Sequence, residues 1–170
     1  YWRKRTAGYI PNAPYGHDGR WRWAIHDTDS TLDEPDYNSL RDATSTVDVG
    51  PNPAWSTLIL RKLLANTTFK NDFINRFADL MNTNFLSTRI KAKIDEIAAI
   101  IAPEMPDQYF RWKAPVNNGD WQYHLNEEKD FADERPGYQR THIRTKFGIS
   151  SNINATLNVS NYDHGYIKIS

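Results

Sequence analysis

Between Trp55 and Phe147 apolar residues recur every three or four positions, and this constrains the fold more than any other feature of the chain. Trp55, Leu58, Ile59 and Leu63, with Leu60 beside them, fall on one broad helical face that ends near Ala65. Phe69, Phe73, Phe77, Leu80 and Met81 make a second face, with Thr67 placed to cap its helix. Ile90, Ile94, Ile97 and Ile101 make a third, with Ser87 as its cap. Pro103 and Pro106 interrupt that run, and Met105, Tyr109, Phe110 and Trp112 suggest a short further helix or an altered continuation. Asp120 is expected to open the next helix, carrying Trp121, Leu125 and Phe131. Pro136 is expected to break it, and a last stretch from Tyr138 runs to Phe147, where Gly148 stops it. Short amphipathic helices are not stable alone, so these must pack on one another.

The regions on either side follow other rules. Tyr1–Arg5 and Arg20–His26 read as paired antiparallel strands, with Trp21, Trp23 and Ile25 alternating with Arg20, Arg22 and Ala24. Pro11, Pro14, Gly16 and the Asp18-Gly19 pair mark turns between them. A chain that opens within a strand is expected to be a piece of a longer protein. From Asp27 to Ala54 acidic residues dominate and apolar ones are few: Asp27, Asp29, Asp33, Glu34, Asp36, Asp42 and Asp48. A structureless stretch of that length inside a domain is usually functional or disordered. After Gly148, Ile153, Ala155, Leu157 and Val159 alternate with polar residues, and Tyr166, Ile167 and Ile169 follow a turn, the pattern of a hairpin. The expected fold is α+β and mainly helical: an N-terminal β-hairpin, a long acidic loop, about five helices and a C-terminal β-hairpin.

Composition narrows the function. The 21 Lys and Arg balance the 21 Asp and Glu, so the basic footprint of a nucleic-acid partner is missing. There is no Cys, which removes disulfide and thiol chemistry. No apolar run approaches the ~20 residues of a membrane span. Six Trp and nine Tyr supply core anchors, and Trp2, Tyr9, Tyr15, Tyr123, Tyr162 and Tyr166 are also candidates for contact with a protein or glycan.

The sharpest chemical candidate is the strand end Trp23-Ala24-Ile25-His26-Asp27-Thr28-Asp29. Carboxylates at Asp27 and Asp29 can aim oxygen ligands at one hard divalent cation. An acidic turn capped by Asp27 fits the same residues. An EF-hand does not fit, because Leu32 stands where the loop needs Gly and Asn38 where it needs Glu. His17, His26, His124, His142 and His164 are scattered without a zinc spacing. Neither a G-x-S-x-G elbow nor a Walker A loop occurs.

Several segments together carry a resemblance. Trp21-Arg22-Trp23-Ala24-Ile25-His26-Asp27-Thr28-Asp29 resembles the aromatic strand running into a D-x-D motif in the spore coat protein H (CotH) kinase family. Leu60–Asn66, Phe73–Thr83, Ile94–Ala98, Ile101–Met105 and Phe131–Pro136 look like the helices that follow it there. The likeness runs to Phe147-Gly148, and its helix segments are more specific than the D-x-D. It implies that residues 1–148 are the C-terminal half of a protein-kinase-like domain, with the helices as its lower lobe. Residues 149–170 are then a hairpin tail or the start of a β module. It implies ATP and Mg²⁺ or Mn²⁺ as cofactors, Asp27 as a metal ligand, Asp29 as a second ligand or an orienting group, and the stretch 30–54 in the place of an activation segment. A protein substrate or surface partner, and an extracellular, cell-surface or spore-coat location, follow from the same likeness. The catalytic Asp, its metal-binding Asn and the nucleotide-binding lobe would precede Tyr1, so the fragment alone is expected to be inactive. Ser30-Thr31-Leu32 departs from the aromatic and Gly that commonly follow the motif. The alternative is a cell-surface or spore-coat module that binds protein or glycan.

Overall fold

The computed structural model describes residues 2–22, 24, 28, 31–50, 52–154, 156, 158–160 and 163. The chain divides into two compact units, Tyr1–Leu32 and Asp33–Ser170.

Among the described residues of the first unit, a series of turns is closed by an antiparallel bridge. Trp2 and Arg22 exchange backbone hydrogen bonds of 2.9 and 2.8 Å. Trp23 and Ile25 of the expected second strand lie outside the described residues, and the hairpin itself is not confirmed. At the bridge the expected facing is reversed. Trp21 is 58% exposed, whereas the Arg22 side chain is only 12% exposed. The cause is Asp18, a buried carboxylate that needs cations. Arg22 Nη1 and Nη2 donate to its two oxygens at 2.8 and 3.0 Å, and Arg20 adds its Nε at 2.7 Å and its backbone N–H at 3.1 Å. The Arg22 hydrogen bonds, with those of Arg20, hold the Asp18 carboxyl far below the usual carboxylate range against the opposing effect of burial. The Arg22 guanidinium also lies over Tyr15 and Trp2, 4.7 and 5.6 Å from the ring centroids.

The Asp18-Gly19 turn is required by geometry. Gly19 has φ +80°, and a Cβ there would stand 2.1 Å from Thr6 Oγ1 and 2.8 Å from the Gly8 carbonyl oxygen. Gly19→Ala therefore combines left-handed strain with a backbone clash. It is expected to destabilise this unit by roughly 2 kcal/mol or more. Denaturant titration followed by Trp fluorescence checks this, and an unshifted midpoint contradicts it.

The second unit is helical. In order it contains α1 (Ser39–Ala43), α2 (Leu58–Leu64), α3 (Thr67–Asn82), α4 (Ser87–Ile101), a 3₁₀ turn (Ala102–Glu104), α5 (Met105–Trp112) and α6 (Asn118–Phe147). The caps differ from expectation by a residue or more. Asn66, not Thr67, caps α3 by accepting from the Phe69 N–H. Ser87 is the first residue of α4 and makes no cap bond; its hydroxyl donates to Asp133 on α6 instead. Asn117 caps α6 by accepting from the Asp120 N–H, while Asp120 accepts from the Val116 N–H. These reciprocal bonds resemble a capping box.

The 30 residues of α6 form a spine on which other helices lie. Pro136 does not break it. The missing N–H and ring clash cost about 3 kcal/mol in a helix interior. The buried stripe Ala132, Gln139 and Ile143 continues across the proline, so the helix stays packed on both sides of it, with Ala132 and Ile143 giving apolar burial that works against that cost. Helix α4 runs antiparallel to it: Lys91 pairs with Asp133 at 2.8 Å, and Asp95 pairs with Lys129. The buried seam of α4 is Ile94 and Ala98. Ile97 and Ile101, expected on the packed face, are 51% and 41% exposed, so the covered face of α4 is centred on Ile94 and Ala98 instead. Helix α3 meets the end of α6 through Phe73 and Phe147, 6.0 Å between ring centroids, and through Arg140 Nη2, which donates to Asn82 Oδ1 at 3.2 Å.

Helix α2 buries none of its residues, and Trp55, Leu58, Ile59 and Leu63 are all exposed. Trp55 lies in the turn before the helix rather than in it. Among the described residues no helix is long and apolar enough to cross a membrane. The expected C-terminal hairpin is not confirmed, since 155, 157, 161–162 and 164–170 lie outside the described residues.

Candidate functional site

The acidic stretch is ordered where it meets α6. Instead of a structureless loop, Asn38 caps the short helix α1 by accepting from the Arg41 N–H at 2.9 Å. Leu40 and Asp42 face inward. The Asp42 carboxylate is held on both oxygens: Arg41 Nε donates to Oδ1 at 2.8 Å and the Tyr37 hydroxyl donates to Oδ2 at 2.5 Å. These bonds, Arg41 first, hold the Asp42 carboxyl below its ordinary range, and the same hydrogen bond raises the Tyr37 hydroxyl. With both oxygens engaged and its affinity for protons reduced, Asp42 is suited to fixing a loop and poorly suited to serve as a general base.

Arg135, on α6, joins this loop to the spine. Its Nη1 donates to the carbonyl oxygens of Pro35 and Tyr37 at 2.8 and 2.6 Å, and its Nη2 to Ser39 Oγ at 3.3 Å. Three partners spread over five residues explain how a segment with few apolar side chains keeps one path. Burial lowers the Arg135 pKa, with the Asp36 charge opposing it. Two helical turns on, His142 has a buried Nδ1 with no hydrogen-bond partner. Burial lowers its pKa most; the positive charges of Arg135 and Arg41 add to this and Asp36 works against it.

The neutral imidazole is thus the form this site accommodates. A group whose folded pKa lies below its unfolded value of about 6.5 stabilises the fold above that pH. That contribution falls away as the pH drops from about 6.5 toward the lowered folded value. The melting temperature is expected to fall between pH 7.5 and 5.5, and His142→Phe is expected to flatten that slope. Equal slopes in the two proteins contradict this.

The expected metal ligands Asp27 and Asp29 lie outside the described residues. Of the remaining acidic residues, Asp33, Glu34 and Asp36 are exposed, and Asp48 Oδ1 accepts from the Ala54 N–H at 2.7 Å. Among the described residues no group of three or more His, Asp or Glu is placed to hold a metal ion. His124 is exposed on α6 and hydrogen-bonds Glu127 at 2.8 Å. Sequence reasoning missed Arg135 and His142 as neighbours of the acidic stretch. The one signal available was Arg135 within the matched run Phe131–Pro136.

The profile of the CotH kinase protein family matches residues 3–139. The chain belongs to the CotH kinase family. No curated protein and no solved structure matches it. The matched range takes in residues 21–54 and α6 as far as Gln139, so Arg135 lies inside the family region. Gly148 and the tail lie beyond it.

Proposed function

We propose that this chain is the metal-holding part of a CotH-type atypical kinase that transfers a phosphoryl group from ATP to secreted or surface proteins. Membership of the CotH kinase family carries the reading. Residues 1–148 then make up the C-terminal half of a protein-kinase-like domain, with α2–α6 as its lower lobe, and 149–170 a tail or the start of a β module. Asp27 holds Mg²⁺ or Mn²⁺, and Asp29 supplies a second oxygen or orients the first. The bound ion supplies neutralisation of the phosphate charge during transfer. The stretch 30–54 takes the place of an activation segment, and Arg135 fixes its first half through Pro35, Tyr37 and Ser39. The location is extracellular, on a cell surface or in a spore coat.

In the pattern this family implies, the catalytic Asp and its metal-binding Asn precede the aromatic strand. The test therefore uses the longest natural form of the protein that contains these 170 residues. Labelled phosphate from the γ position of ATP is expected to enter protein in the presence of Mg²⁺ or Mn²⁺ and not in the presence of a chelator. Metal-independent labelling, or none, ends the reading.

A second reading, a surface module that binds protein or glycan, is favoured by one observation. Tyr9, Tyr15 and Tyr123 are 57%, 88% and 59% exposed, and Trp2 is 46% exposed. Tyr162 and Tyr166 lie outside the described residues. A glycan array and a surface-protein pull-down with the chain distinguish it, and the loss of any capture in Tyr15→Ala supports it.

A further inference from the structure

A cleft of about 380 Å³ opens within the helical unit where the end of the acidic stretch, α2, the start of α3 and the end of α6 converge. Its lining is Thr44, Thr46, Arg61, Leu64, Ala65, Lys70, Lys146 and Phe147. Three of these eight are cations and none is an acid. In a chain whose charges balance overall, that local excess of three positive charges stands out. Among the described residues no carboxylate forms an ion pair with Arg61, Lys70 or Lys146. Arg61 is fixed in place, because its Nε donates to Thr57 Oγ1 at 3.0 Å and its Nη2 to the Ala54 carbonyl oxygen at 2.9 Å. The Thr44 hydroxyl is committed to the Leu40 carbonyl oxygen at 2.8 Å. The Thr46 hydroxyl has no such bond and is available to a ligand oxygen. Leu64, Ala65 and Phe147 supply an apolar wall.

We infer that this cleft binds a phosphomonoester dianion, its phosphate against Arg61, Lys70, Lys146 and Thr46 and its organic part against Leu64 and Phe147. Two of the five Arg61 N–H donors are used in the bonds to Thr57 and Ala54, so Nη1 remains to meet a phosphate oxygen, and Lys adds mobile point charges that follow the ligand. The inference does not depend on the transfer reading, because every lining residue lies in the helical unit, outside the D-x-D. Lys146 has a second reason to stand where it does, since a cation is favoured near the carbonyl end of α6. Stability measurements alone cannot separate those roles; ligand binding can.

The test is calorimetric titration of the 170-residue chain with phenyl phosphate, inorganic phosphate and phenol at low salt. Phenyl phosphate is expected to bind saturably, inorganic phosphate more weakly and phenol not at all. Lys70→Gln and Lys146→Gln are each expected to weaken phenyl phosphate binding about fivefold, and the double variant about twentyfold, as for solvent-accessible ion pairs. Lys70→Arg with Lys146→Arg is expected to retain binding. Circular dichroism confirms that the variants keep their helices. No binding of phenyl phosphate, or the same affinity in the double Gln variant, overturns the inference. Phenol binding as tightly as phenyl phosphate also overturns it, and so does inorganic phosphate binding as tightly as phenyl phosphate.

Discussion

Asp27→Ala is expected to lower metal-dependent phosphoryl transfer by about 10²- to 10³-fold, the scale for removing one preorganised group that stabilises developing charge. Phosphoryl transfer asks little of a protein beyond positioning and neutralisation of charge, so a single carboxylate on the ion carries a large share. Asp27→Asn keeps the shape and removes the charge, and it is expected to fall nearly as far. Asp29→Ala is expected to lose less, about tenfold, if its role is to orient rather than to hold. The assay is the labelled-phosphate transfer described above, run on the natural protein at saturating ATP and metal. Circular dichroism of each variant should match the parent, because the helices lie in the other unit. Full activity in Asp27→Ala ends the assignment.

The second large effect is structural. Arg135→Ala removes the donor to two backbone carbonyls and to Ser39 Oγ in one step. Loss of hydrogen bonds from a charged donor, with acceptors left short of partners, is expected to cost roughly 2 to 3 kcal/mol. For a domain of this size that lowers the melting temperature by roughly 5 to 10 °C. Limited proteolysis should then cut near Pro35–Ser39, a segment with little apolar burial to hold it otherwise. Arg135→Lys is expected to restore little, since one ammonium cannot reproduce the forked contacts. Removing this positive charge also lets His142 protonate more readily, because Arg135 is one cause of its lowered pKa. Unchanged melting and an unchanged digestion pattern contradict the clamp.

Helix existence was legible wherever the apolar spacing was regular. The ladder Phe69, Phe73 and Phe77 is present on α3, with Phe73 meeting Phe147. Gly148 ends α6 with φ +65°, as a glycine just past a periodic run should. Cap positions slipped because Asn66 and Thr67, or Asn117 and Asp120, are all competent capping residues, and local chemistry alone does not rank neighbours. Pro136 departs from the expected break for a different reason. A local penalty of a few kcal/mol is visible in sequence, but the burial of Ala132, Gln139 and Ile143 on either side is not. The reversed facing at Trp21 and Arg22 has the same origin. An alternating pattern assigns the aromatic inward, yet the buried Asp18 carboxylate draws Arg22 in and leaves Trp21 out.

The amino-acid sequence alone determined the family, the mainly helical class and the places where turns require glycine, because each depends on residue type at fixed spacing. The tertiary structure decided which face of each helix is covered, how the acidic stretch is anchored by Arg135, and that three cations from three separate helices share one cleft. Such features depend on contacts between residues far apart in the chain, whose energies exceed local preferences and leave no periodic trace in the sequence.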